Sequence, residues 1–133
     1  MTAHRRYSEL SVGARFPPEP ARYEVTADVV REYRAIAGAA ADDIDIAPPT
    51  LAAIYIRPAQ NALNGPPGGI HAKQEFRFSG TVKVGDRLET VLEVRELFER
   101  KGKRFVVSET RTINQNGRVV CTGLITQVWG REA

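Results

Sequence analysis

The stretch "IHAKQEFRFSG", residues 70–80, decides the fold. From Ile70 the apolar positions recur at every second residue, the period of a half-buried strand. Ile70, Ala72, Phe76 and Phe78 fall on one face, and His71, Lys73, Glu75 and Arg77 on the other. The period holds downstream. In "RLETVLEVREL" (87–97), Leu88, Leu92 and Val94 alternate with Glu89, Glu93 and Arg95. "KRFVVSETRTINQ" (103–115) and "RVVCTGLITQVWG" (118–130) complete four long strands, joined by turn chemistry at Gly85-Asp86, Lys101-Gly102 and Asn116-Gly117. The expected result is a meander of four antiparallel strands. The last of them is apolar on both faces, which points to a second subunit against the sheet.

Upstream the period is helical. In "TADVVREYRAIAG" (26–38), Thr26 is a candidate N-cap and Asp28 favours the first turn. Val29, Val30, Tyr33 and Ile36 make one apolar stripe, and Gly38 ends the helix. A second helix opens at Pro48-Pro49, where a missing N–H costs nothing, and runs apolar nearly all round from Leu51 to Ile56. Pro58 should kink it and "NGPPGG" (64–69) stop it. Before the first helix, "GARFPPEPARYEV" (13–25) carries prolines at 17, 18 and 20 and is expected to be extended, with at most a short edge strand. One long buried helix wrapped by one curved antiparallel sheet is an α+β arrangement.

Composition sets limits on function. A length of 133 residues, 42% of them hydrophobic, suits a single domain, 1–133, with residues 1–7 as a flexible tail. The net charge is only +3 and no basic block is interleaved with aromatics, which argues against nucleic acid as a partner and leaves anionic small molecules open. No stretch approaches a membrane span and no apolar leader opens the chain, so it reads as cytoplasmic. The single cysteine, Cys121, sits in the apolar run "RVVCTGL" (118–124) and reads as a small buried hydrophobe rather than a nucleophile.

Three pieces together resemble the MaoC-like acyl-CoA hydratase/dehydratase family of the hotdog fold. They are "APPT" (47–50) opening an apolar helix, "GPPGGIHAKQEFRFSGTVKVGDRL" (65–88), and "NQNGRVVCTGLITQV" (114–128). The most specific parts are F-x-x-x-V-x-x-G-D-x-L and N-x-x-G-x-V-V-x-x-G. The resemblance covers roughly residues 8 to 129. It implies reversible addition of water to a trans-2-enoyl thioester carried on coenzyme A or acyl carrier protein, usually in a dimer. No cofactor is implied, because coenzyme A or phosphopantetheine belongs to the substrate.

That chemistry needs a base for water, an acid for the α-carbon, and donors for the developing enolate oxygen. In the family the donors are backbone N–H groups near the start of the buried helix. The Asp and His come from a G-D-x-N-P-x-H signature just after the first helix. Here "YRAIAG" (33–38) matches the lead-in, but "AAADDIDIAPPT" (39–50) follows, with neither Asn-Pro nor His. His4 and His71 are the only histidines, and neither can occupy the signature position.

One of Asp42, Asp43 and Asp45 could replace the missing acid, with Asp43 and Asp45 as the catalytic candidates; a solvated loop favouring the next helix's N-terminus is the simpler reading. His71 could face a thioester, although its alternation sets it on the polar face. The resemblance suggests substrate contacts at Pro49 and Thr50, at Tyr55 and Arg57 on the helix, and at Gly68, Gly69 and Ile70 before the first long strand. For the glycines a turn requirement suffices, for Tyr55 core packing is the alternative, and Arg57 must find a partner or reach solvent. Arg100, Lys101, Lys103 and Arg104 could meet phosphates, or be solvated turn charges.

The leading expectation is a subunit of an enoyl-CoA hydratase or 3-hydroxyacyl-thioester dehydratase that binds the acyl thioester while a partner hotdog chain supplies Asp and His. The rivals are a hotdog thioesterase using Asp43 or Asp45 as base, and a non-catalytic acyl-thioester-binding or assembly module. Homodimer and heterodimer look alike from one chain.

Overall fold

The structure is a computed structural model that describes residues 3–36 and 45–132. Its elements run β1 (Arg15–Glu24), α1 (Ala27–Ile36), a 3-10 turn (Pro49–Leu51), α2 (Ala52–Tyr55), α3 (Arg57–Asn61), β2 (Ile70–Phe78), β3 (Arg87–Arg100), β4 (Lys103–Ile113) and β5 (Val119–Val128). The five strands form one antiparallel sheet in the order β1-β3-β4-β5-β2.

The expected α+β class holds, with two corrections to the sheet. The N-terminal segment is a ten-residue strand rather than a short edge, because Arg15 and Phe16 pair with β3 before the prolines and Ala21 to Glu24 pair with it after them. Prolines 17, 18 and 20 occupy the bulge between, where no ladder N–H is required. The meander is also limited to β3-β4-β5. Gly85-Asp86 does not close a hairpin from β2 to β3, since β2 crosses over to pair with β5.

The turn motif has a structural cause. Gly85 adopts φ +95°, and the Asp86 carboxylate accepts from the Lys83 N–H (2.8 Å) and the Gln115 side-chain amide (2.9 Å). Lys101 (φ 52°) and Gly102 (φ 75°) form the two-residue β3–β4 turn, both in the left-handed region that a right-twisted hairpin favours.

Thr26 caps α1 as expected, its hydroxyl accepting from the Val29 N–H at 3.1 Å. Val30 is fully buried and Val29 and Tyr33 pack beside the core, but Ile36 is 82% exposed and leaves the stripe. Gly38 lies outside the described residues. The expected long second helix is broken. It starts as a 3-10 turn, gives four residues of α2, and restarts as α3 after Ile56. Pro58 has no N–H and its ring crowds the preceding turn, which is why the break falls there. Leu51, Ala52, Tyr55, Ile56 and Ala59 pack onto the sheet, while Ala53 and Ile54 face outward, so burial is one-sided rather than all round.

Arg5 closes the helix's C-terminal end, donating to the Leu63 (3.0 Å) and Ala62 (3.3 Å) carbonyls, with its guanidinium 4.4 Å from the Phe16 ring centroid. Residues 3 to 7, expected as a tail, therefore lie against the domain. No helix among the described residues is long and apolar enough to cross a membrane.

Candidate functional site

The start of the second helix, the loop before it and the end of β2 enclose a pocket of about 150 Å³. Ile46, Ala47, Pro48 and Pro49 form one wall; Phe78, Gly80, Thr81 and Val82 form the other; Tyr55 is the floor. The walls are pinned together by backbone. Ile46 bridges to Lys83, the Ala47 N–H donates to the Val82 carbonyl (2.8 Å), and the Val84 N–H donates to the Asp45 carbonyl (2.8 Å). The F-x-x-x-V-x-x-G-D-x-L motif thus contributes two wall residues, Phe78 and Val82, and the turn that places them.

The lining is apolar except for the hydroxyls of Tyr55 and Thr81. Tyr55 is 2% exposed, packs against Tyr23 at 6.3 Å between ring centroids, and has the Cys121 thiol as a neighbour. Burial above all, and then the neighbouring thiol, pushes the Tyr55 phenol far above its ordinary range. Burial likewise raises the Cys121 thiol, against a smaller opposing effect of the neighbouring Tyr55 hydroxyl. Both groups stay protonated at neutral pH. Cys121 is a buried packing group, as its sequence context indicates.

Only some of the expected site residues meet here. Pro49 and Tyr55 line the pocket, and Thr50 and Asp45 are exposed beside it in the chain. Pro48 and Pro49 carry no N–H, so the first donor the helical turn can offer is that of Thr50. Arg57 is exposed and reaches solvent. Asp42 and Asp43 lie outside the described residues.

Gly68, Gly69, Ile70 and His71 stand at the opposite end of β2, roughly 26 Å from Phe78 at the rise of a strand. Gly68 takes φ +89°, and a β-carbon on Gly69 would sit 3.1 Å from the Val128 carbonyl oxygen, so turn and packing account for both glycines. No group of three or more His, Cys, Asp or Glu with metal-binding geometry occurs among the described residues.

His71 does not share a face with Lys73, Glu75 and Arg77. The β2–β5 register shifts between His71 and Lys73, with Ala72 as the extra residue. His71 therefore pairs with Gln127, on the same face of β5 as the buried Ile125 that pairs with Gln74, while Ile70 moves to the outer face with Val128. His71 joins the face of Phe76 and Phe78 and is still exposed, because β2 is an edge strand. Ile46, Phe78, Gly80, Thr81 and Val82 were not singled out as site residues; the signal in the sequence for the last four is the motif that spans 78–88, and Ile46 has none.

Comparison with known proteins agrees with the fold. Residues 34–123 match the family model described as the FAS1-like dehydratase domain region. A UPF0336 protein of Saccharopolyspora erythraea is 31% identical over 138 residues, covering 88% of this chain and 87% of that one. The unliganded R-hydratase PhaJ1 of Pseudomonas aeruginosa superposes with a TM-score of 0.76 at 26% identity, over 95% of this chain and 86% of that one. The C-terminally truncated HadBC (3R-hydroxyacyl-ACP dehydratase) complex of Mycobacterium tuberculosis gives 0.74 at 20% identity, over 88% and 96%, a likeness of fold.

Sheet, helix and neighbours together define a hotdog protein. The chain belongs to the MaoC-like hydratase/dehydratase family, in its FAS1-like dehydratase branch.

Proposed function

We propose that this chain shapes the acyl-thioester site of a heteromeric enoyl-thioester hydratase, or 3-hydroxyacyl-thioester dehydratase, whose Asp and His come from a second hotdog chain. The carrying observation is a pocket built of family motif residues whose described lining includes no carboxylate and no imidazole. Such a pocket can bind an apolar chain and exclude water, but it cannot exchange the protons that hydration requires. Thr50 N–H and the Tyr55 hydroxyl are this chain's donors toward a thioester oxygen. Coenzyme A or phosphopantetheine enters as part of the substrate, and no further cofactor is called on.

The two sheet edges support a partner on one side. β1 is interrupted by its proline bulge, which discourages strand addition. β2 is a nine-residue edge without proline, nearly all of it exposed, with Ile70 at 59% and Phe78 at 47%. Co-expression with a hotdog chain bearing an intact Asp/His signature should give a stable pair that hydrates crotonyl and longer enoyl thioesters. Robust turnover by this chain alone would sink the proposal.

Asp45, exposed beside the pocket wall, is the one described residue that favours a thioesterase reading instead. That reading requires thiol release from acyl-CoA by the isolated chain and its loss in Asp45→Asn. A non-catalytic binding module requires stabilisation by acyl thioesters without turnover, even beside the partner.

A further inference from the structure

The cationic side chains are not spread evenly. At the end of the sheet away from the pocket, the β3–β4 turn presents Arg100, Lys101, Lys103 and Arg104. The folded-back N-terminal arm adds Arg5 and Arg6, and the segment after β5 adds Arg131. Among the described residues, the carboxylates bonded to this group are those of Glu9, Glu99 and Glu132, against seven cations in a chain whose total formal charge is +3. The rest of the chain therefore has no cationic excess, and the molecule has a basic pole.

The pole is tied together. Glu132 accepts from the Tyr7 N–H and pairs with Arg104 (3.0 Å), and Arg104 also meets Glu99 (3.4 Å) and lies 5.4 Å from the Tyr7 ring centroid. Arg5 is engaged at the helix end. Among the described residues, Arg6, Arg100, Lys101, Lys103 and Arg131 have no carboxylate within ion-pair distance. Between the arm, Pro66, Pro67 and Arg131 lies a cleft of about 290 Å³. From Cys121, opposite Phe78, to Val128, opposite Phe105, β5 spans roughly 23 Å, so pole and pocket are a strand length apart.

We propose that this pole docks the acidic surface of the protein that carries the acyl thioester, an assignment that rests on the function proposed above. The cations come from three chain segments, the N-terminal arm, the β3–β4 turn and the stretch after β5, and five of them are free of ion pairs among the described residues. The carboxylates set among them repel a uniform polyanion but suit a protein face of discrete acidic groups. Such a surface acts chiefly on encounter rate and partner choice and is screened by salt.

The test uses the full chain, alone and paired with its hotdog partner, and measures binding of a fluorescently labelled holo acyl carrier protein by anisotropy. Coenzyme A and a short DNA duplex serve as the other probes. Binding of the carrier protein should weaken steeply with salt, and Lys103→Glu with Arg131→Glu should weaken it by about tenfold or more. The control pair Arg22→Glu with Arg31→Glu changes net charge equally and should leave binding unchanged. Wild-type affinity in the pole variant overturns the proposal, as does an equal loss for coenzyme A or tighter binding of DNA than of carrier protein. Absence of turnover in the assembled pair, with docking intact, would count against the function proposed above and not against the docking surface.

Discussion

The Thr110 hydroxyl lies where a side chain on residue 123 would have to go: a β-carbon built on Gly123 falls 2.6 Å from Thr110 Oγ1 and 3.3 Å from the Phe76 ring. The last glycine of the N-x-x-G-x-V-V-x-x-G motif is thus a packing requirement on the central strands. Gly123→Ala should destabilise the chain by about 1–3 kcal/mol, as overpacking of a close-packed core does. Removing the hydroxyl as well, in Thr110→Ala with Gly123→Ala, should return about 1 kcal/mol of that loss in a double-mutant cycle read by urea unfolding. Strict additivity of the two changes would show that the contact does not set the cost.

Ser108 is completely buried between Val94 and Ile125, and its hydroxyl has no hydrogen-bond partner. A buried hydroxyl left unpaired costs about 1–3 kcal/mol. Ser108→Ala should therefore leave stability unchanged or raise it by about 1 kcal/mol, measured by chemical denaturation. A clear loss would mean that the hydroxyl finds a partner in solution.

Cys121 should be silent in the native protein. Burial holds its thiol above the ordinary range, so labelling at pH 8 should proceed only through unfolding and rise to one thiol per chain in denaturant. Tyr55→Phe should not unmask it. The neighbouring phenol lowers the thiol pKa, and its removal takes that effect away. Faster labelling of native Tyr55→Phe would contradict the sign.

Glu93 is held below the usual carboxylate range by hydrogen bonds from Arg95 and Arg15. A depressed folded-state pKa gives stability that is complete above the unfolded value, about 4.3, and lost as pH falls through the folded one. Glu93→Gln should flatten the acid limb of a Tm-versus-pH curve below that value and leave the neutral region nearly unchanged. The exposed arginines make the effect small and removable by salt. An unchanged acid limb at low ionic strength would rule the pairing out.

Phe78→Glu tests the open edge. Half of this ring is exposed, so the isolated chain should fold with nearly unchanged Tm. Assembly with the Asp/His-bearing partner should weaken by about tenfold or more, read by sedimentation or titration. Normal assembly would place the interface elsewhere.

Much of the fold is legible in the residues, since a period-two pattern over 87–113 and a capped helix at Thr26 each have a local cause. Three features had non-local causes. The prolines of β1 conceal a strand because pairing resumes on both sides of the bulge. The partner of β2 is chosen by the crossover, which no local pattern encodes. The bulge at Ala72 reverses the side of His71, and nothing in "IHAKQ" (70–74) announces an extra residue. The pocket was only half legible: the family resemblance named Pro49 and Tyr55, but the other wall comes from a turn motif whose residues look purely structural.

The asymmetry of the two edges has a consequence for the size of any assembly. A chain that offers hydrogen-bonding capacity along β2 and little along its proline-broken β1 can accept one neighbour by strand addition. Once that neighbour is in place the sheet has no second free end, so growth stops at a pair instead of propagating into a fibre.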